Sequence, residues 1–158
     1  MLVKQIMSTR VVKVDIDDNL ATIKVIFDNV NFHHLLVVEN GVLIGVISDR
    51  DLLKALSPNI GTAAETTRDL LALNKRAHQI LSRDLVTVTS NTTVHDAIEL
   101  FNQHKISCLP VVGKRNVPVG ILSWRDVFRA IAEQRQRQLQ NQDVDDDDVI
   151  EDEGEDET

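Results

Sequence analysis

Two short patterns have the residue types and spacing to do chemistry: Ser48-Asp49-Arg50-Asp51 and Ser123-Trp124-Arg125-Asp126. In each, a serine and an aspartate stand three residues apart, where an apolar run that reads as a strand gives way to a helical stretch. Exposed backbone N–H groups and the positive end of a helix meet an anion such as phosphate at such a junction, and the serine hydroxyl adds a donor. The carboxylate can accept hydrogen bonds from both hydroxyls of a ribose. The same spacing also suits a capping box, in which the serine satisfies the first helical turn and the acid reaches back. Both readings stay open from the residues alone. They are compatible, because a side chain that caps an empty helix can exchange partners when a ligand arrives.

Other groups are read more plainly. His33 and His34 precede an apolar strand and read as surface or cleft-edge residues. Neighbouring strand positions face opposite ways, so this pair alone offers too few ligands for a metal. Arg50 and Arg125 either balance phosphate charge or pair with acids, and Lys114 and Arg115 are further basic candidates in a loop. Cys108 reads as a small buried hydrophobe. Trp124 reads as an interface or cleft-wall residue, and His95 and Asp96 as solvated or capping groups. No nucleophile, base and orienting group come together in the sequence, so catalysis is not expected.

The elements that must position these residues occur twice. A shift of 74 residues lays Ile6 on Ile80, Val12 on Val86, Val14 on Val88, Phe27 on Phe101, Leu35 on Leu109 and Val37-Val38 on Val111-Val112. After one inserted residue, Gly45, Ser48 and Asp51 fall on Gly120, Ser123 and Asp126. Such a period marks an internal repeat. Each copy is expected to run strand (Val11 to Val14, or Leu85 to Val88), helix, two strands and a final helix. Leu20, Ile23, Phe27 and Val30 carry the first helical stripe, and Val94, Ala97, Ile98 and Phe101 the second. Asn40-Gly41 signals a hairpin. Boundaries are set at 1–56 for the first repeat, 57–79 for a helical connector, 80–133 for the second repeat and 134–158 for a polar helix end and acidic tail. Thr62 to Glu65 is expected to cap the connector, with Leu70, Leu71, Leu73 and Ala77 packing. Neither half hides its sheet alone, so the two should dock face to face.

The chain has 158 residues, 42% hydrophobic and 27% charged, with a net charge of -8. Residues 143–158 hold eleven acids and no base, leaving a mildly basic body of seventeen Lys or Arg against fourteen Asp or Glu. That tail is expected to be disordered and self-repelling. The body lacks a dense basic patch, so nucleic acid is not an expected partner. No window is long and apolar enough for a membrane span, and no secretory signal is evident, which makes cytoplasm the expected compartment. One cysteine excludes an internal disulfide framework.

The repeat resembles a tandem pair of CBS domains, a Bateman module, over about residues 1–133. The resemblance lies in the two copies of glycine, two apolar residues, serine, two variable residues and aspartate, each with an apolar strand upstream. Leu109-Pro110-Val111-Val112 matches fully; Leu36 departs at the position of Pro110. The resemblance implies an α/β fold of two CBS-type beta-alpha-beta-beta-alpha repeats packed by pseudo-two-fold symmetry, with two clefts between them. It further implies a regulatory ligand containing adenosine: AMP, ADP, ATP or S-adenosylmethionine. Asp51 and Asp126 would hold ribose, Ser48 and Ser123 phosphate, and His33 and His34 would approach the phosphates. Val12, Val86, Leu36 and Pro110 would line the base slot, with Thr87 adding a hydroxyl. The cleft of Ser123 and Asp126 is the favoured one, on the expectation that Pro110 belongs to it. A homodimer and a separate target protein are the implied partners. The alternative is a ligand-free protein-interaction or oligomerisation module.

Overall fold

In the first repeat, the computed structural model places β1 (Lys13–Asp15), α1 (Leu20–Asn29), β2 (His34–Glu39), β3 (Val42–Ser48) and α2 (Asp49–Ala55). After the connecting helix α3 (Thr67–Leu71), the second repeat holds α4 (Val94–His104), β4 (Cys108–Val112), β5 (Pro118–Ser123) and α5 (Trp124–Asp147). The structure describes residues 1–147. The expected disorder of the tail therefore concerns a segment that lies largely outside the described residues.

Local chemistry accounts for most of these boundaries. Asn19 and Thr93 cap α1 and α4 by accepting from the N–H groups of Thr22 and Asp96. Asn40 and Gly41 take φ of 52° and 80°, the left-handed pair that a tight hairpin between β2 and β3 requires. β1 pairs in parallel with β2, and β2 runs antiparallel to β3 with a register shift between Val37 and Val38. The β4–β5 pair repeats that shift between Val111 and Val112.

The expected strand Leu85 to Val88 does not form as a strand. Only a parallel bridge from Val88 to Val111 remains. The cause is Pro110. In the first repeat, Leu36 N–H donates to the Val12 carbonyl at 3.1 Å. Pro110 stands at the equivalent position and has no N–H, so the Val86 carbonyl loses that bond.

The connector also differs from expectation. Its helix starts later, at Thr66, whose hydroxyl accepts from Asp69 N–H while the Asp69 carboxylate accepts from Thr66. It ends at Leu71 and is followed by 3-10 turns at Ala72–Asn74 and Ala77–Gln79. Leu70 and Leu71 are exposed, whereas Ala77 is fully buried. A continuous helix is excluded because Lys75 and Ala77 give their backbone groups to the first repeat. Leu20 N–H donates to Lys75 O and Ala77 N–H to Asp18 O, both at 2.8 Å.

That contact is half of a reciprocal exchange. The segment opening the second repeat packs on the first: Ser82 and Val46 exchange two backbone hydrogen bonds, at 2.9 and 3.1 Å. The segment opening the first packs on the second: Ser8 and Ile121 exchange two, both at 2.9 Å. Side chains follow the backbone. Val3 is buried in the core of the second repeat with Val94, Phe101 and Leu122, and Ala77 in that of the first with Leu20, Ile23 and Leu35. A third cluster, Leu36, Leu43, Val46 and Cys108, joins the two repeats. Asn116 ties the second hairpin to the first repeat by donating to Leu43 O at 3.1 Å.

Gly45 and Gly120 make these crossings possible. A Cβ on Gly45 would lie 2.7 Å from Ser82 O, and one on Gly120 3.0 Å from Ser8 O. Gly45→Ala is expected to cost about 1–3 kcal/mol by overpacking against backbone, measured as a lower urea midpoint. An unchanged midpoint would show that the crossing is not tight.

Candidate functional site

Both Ser-x-x-Asp patterns fold as capping boxes at strand-to-helix junctions. Ser48 N–H and Oγ each donate to Asp51 Oδ2 at 2.8 Å, and Asp51 N–H donates to Ser48 Oγ at 3.1 Å. Ser123 N–H and Oγ donate to Asp126 Oδ2 at 2.8 and 2.7 Å, with Asp126 N–H returning to Ser123 Oγ at 3.3 Å. The second copy has one more partner: Arg129 donates to Asp126 Oδ1 at 2.5 Å.

Each junction opens into a cleft, and each cleft is built from both repeats. The larger, about 920 Å³, sets Ser48, Arg50 and Asp51 of the first repeat against Val86, Cys108 and Pro110 of the second. The smaller, about 320 Å³, sets Ser123, Arg125 and Asp126 of the second against Val12 and Leu36 of the first. His33, His34, Trp124 and Arg125 border both. The expected grouping of Pro110 with Ser123 and Asp126 is therefore corrected. The crossing of the repeats puts Pro110 opposite Ser48 and Asp51, and Leu36 opposite Ser123 and Asp126. Thr87 borders neither cleft. Lys114 and Arg115 lie in the β4–β5 turn and also border neither.

The histidines hold the region between the clefts. His33 Nδ1 meets Asp49 Oδ2 at 2.8 Å, and His34 Nε2 meets Ser107 Oγ of the other repeat at 3.1 Å. Burial is the main cause that pulls the His34 pKa below its ordinary value of 6.5, so the ring is neutral near pH 7. Burial acts to raise the Asp49 carboxyl, but the hydrogen bond and charge of His33 outweigh it and hold the pKa below 3.8. The Cys108 thiol is pushed up to about 12 by burial, which makes it an inert wall atom rather than a nucleophile. Trp124 stands edge-on to Phe128 at 5.4 Å, with the Arg125 guanidinium 5.4 Å from its ring.

Sequence reasoning missed Arg10 and Arg129 in the smaller cleft and Asp84 and Lys105 in the larger. Arg129 was within reach of the pattern, one helical turn beyond Asp126. Arg10 and Asp84 sit on the exchanged segments, so linear sequence gives no sign of which cleft they face. Among the described residues, no three His, Cys, Asp or Glu side chains are placed to hold a metal ion. No described helix is long and apolar enough to cross a membrane.

Comparison with known proteins follows the same division of the chain. The CBS domain model matches residues 3–58 and 77–133. The chain is 30% identical over 125 residues to the CBS domain-containing protein YhcV of Bacillus subtilis, covering 79% of this chain and 81% of that protein. It is 29% identical over 108 residues to a homoserine O-acetyltransferase of Methanococcoides burtonii, covering 68% of this chain but only 19% of the enzyme. Among solved structures, the CBS domain pair of protein MJ0100, in complex with 5-methylthioadenosine and S-adenosyl-L-methionine, superposes with a TM-score of 0.69 at 25% identity. It covers 85% of this chain and 98% of that one. CBS domains are regulatory rather than catalytic modules. With two matched copies, crossed clefts and a Ser-x-x-Asp junction in each, the chain belongs to the CBS domain family as a tandem pair.

Proposed function

We propose that the chain is a non-enzymatic regulatory module that takes an adenosine-containing ligand in the clefts between its repeats. The candidates are AMP, ADP, ATP and S-adenosylmethionine. The observation that carries this reading is the composite build of each cleft. A ribose- and phosphate-competent junction from one repeat faces an apolar slot from the other. In the larger cleft, Val86 and Pro110 offer the slot, and the Val86 carbonyl, freed by the proline, is an acceptor for the amino group of an adenine. Asp51 and Asp126 take the ribose hydroxyls, Ser48 and Ser123 switch from capping to the 5′ substituent of the ligand, a phosphate where it carries one, and Arg50, Arg125, His33 and His34 border that end. Val12 and Leu36 form the corresponding slot of the smaller cleft. The MJ0100 pair, which holds adenosyl compounds in the same fold, supports the choice of ligand class.

A ligand touching both walls favours one packing of the repeats over another, and that difference is what a target can read. The target is a separate protein meeting this module in the cytoplasm. Leu53 and Phe128, equivalent in the two repeats, are 73% and 61% exposed, and Ile131 is 52% exposed on α5. These apolar surfaces fit a homodimer. They also favour the second reading, an oligomerisation module with empty clefts, which the ligand titrations separate from the first.

Titration calorimetry with the four compounds is expected to show saturable binding by at least one. Asp51→Ala and Asp126→Ala, in separate variants, should each weaken binding in their own cleft by about tenfold, the worth of a charge-assisted hydrogen bond. No binding by any of the four would leave the oligomerisation reading. Phe128→Glu is expected to halve the particle mass measured by light scattering at unchanged melting temperature. A mass that stays that of a monomer in both proteins would contradict the homodimer.

A further inference from the structure

The two clefts are pseudo-symmetric in shape but not in charge. Arg10 and Asp84 occupy equivalent positions on the exchanged segments, 74 residues apart, and both are exposed. Arg10 borders the smaller cleft and Asp84 the larger. One pseudo-symmetric position thus presents a guanidinium to one cleft and a carboxylate to the other. A second position adds to the difference, since Asp49 brings a carboxylate to the larger cleft and its counterpart in the other copy is the uncharged Trp124.

The remaining lining charges add to the difference. Around the smaller cleft, Arg10, Arg125 and Arg129 stand against the single carboxylate Asp126. Around the larger, Arg50, Lys105 and Arg125 are matched by Asp49, Asp51 and Asp84. Arg125 is shared and does not discriminate. Arg129 now holds Asp126 Oδ1. A ribose arriving at that carboxylate would release the guanidinium towards a phosphate on the 5′ carbon of the same sugar. Guanidinium groups grip phosphate through paired N–H donors, so this cleft is suited to an anion. In the larger cleft, carboxylates offset every cation, and a phosphate leaving water would gain little net attraction.

We propose that the clefts divide adenosine ligands by charge. The smaller, Arg10-bordered cleft takes a phosphorylated adenosine. The larger, Asp84-bordered cleft takes an adenosyl compound without phosphate, neutral or cationic at its 5′ end. This division rests on the adenosine-binding reading above and assigns each cleft its ligand class. A module built this way reads two chemically distinct adenosine pools at once.

The test exchanges the two charges on the full chain. AMP serves as the anionic probe, with 5-methylthioadenosine as the neutral one and S-adenosylmethionine as the cationic one, each titrated calorimetrically. Arg10→Asp is expected to weaken AMP binding by about tenfold or more and to leave methylthioadenosine unchanged. Asp84→Arg should weaken S-adenosylmethionine and give AMP a second site, seen as a change in stoichiometry from one to two. Raising salt should weaken AMP and not methylthioadenosine, because only the former relies on screened charge. Both side chains are exposed, so matched melting temperatures will confirm intact folds. If the probes bind but Arg10→Asp and Asp84→Arg affect AMP and methylthioadenosine alike, the charge division is overturned while the adenosine-binding reading stands. If no probe binds the native chain, both fall together.

Discussion

Every feature of the site depends on the reciprocal backbone exchange between the repeats. Ser82 closes the sheet edge at Val46, and Ser8 closes the edge at Ile121, each through a pair of hydrogen bonds. Because the opening segment of each repeat lies on its neighbour, neither repeat completes its core alone. Val3 would leave a hole beneath Val94 and Leu122, and Ala77 one beneath Leu20 and Leu35. Both crossings need glycine, since Gly45 and Gly120 let a carbonyl approach where any Cβ would stand too close. The clefts are consequences of this geometry. Each exists because a strand-to-helix junction of one repeat is brought face to face with the apolar slot of the other.

The Ser-x-x-Asp junction shows how one local device serves folding and binding together. Serine and aspartate satisfy each other and the first turn of the helix, so no polar group is left stranded at the junction. Those bonds are of ordinary strength and exchange readily for bonds of the same kind to a ligand. The two copies differ in how far they are satisfied. Asp126 has Arg129 on its second oxygen, whereas α2 carries Lys54 at the equivalent place, with no ion pair to Asp51. Fold symmetry has thus been kept while the chemistry of the two junctions has diverged.

Much of this was legible in the sequence. The 74-residue shift gives the two-part α/β architecture, and Asn40-Gly41 gives the hairpin. Cys108 reads correctly as buried. The first strand of the second repeat was not legible, because Leu85 to Val88 has the apolar pattern of a strand and the missing hydrogen bond belongs to Pro110, far along the chain. The connector misled for a related reason. Its leucines have helical spacing, yet Lys75 and Ala77 are claimed by backbone partners at Leu20 and Asp18. The exchange itself leaves no periodic trace, which is why Pro110 was expected in the wrong cleft and Arg10 and Asp84 went unnoticed. Pattern reports what an element is; which neighbour it meets is a property of the assembled whole.

Native-state amide hydrogen exchange at four positions tests the exchange most directly. The N–H groups of Ser8, Val46, Ser82 and Ile121 all bond across the repeats. If neither repeat is complete alone, all four should exchange only through global unfolding, with one shared free energy equal to that from urea denaturation. Protection of the Val46 and Ser82 pair that survives opening of the Ser8 and Ile121 pair, or the reverse, would show that one repeat stands by itself and would contradict the mutual dependence on which the clefts rest.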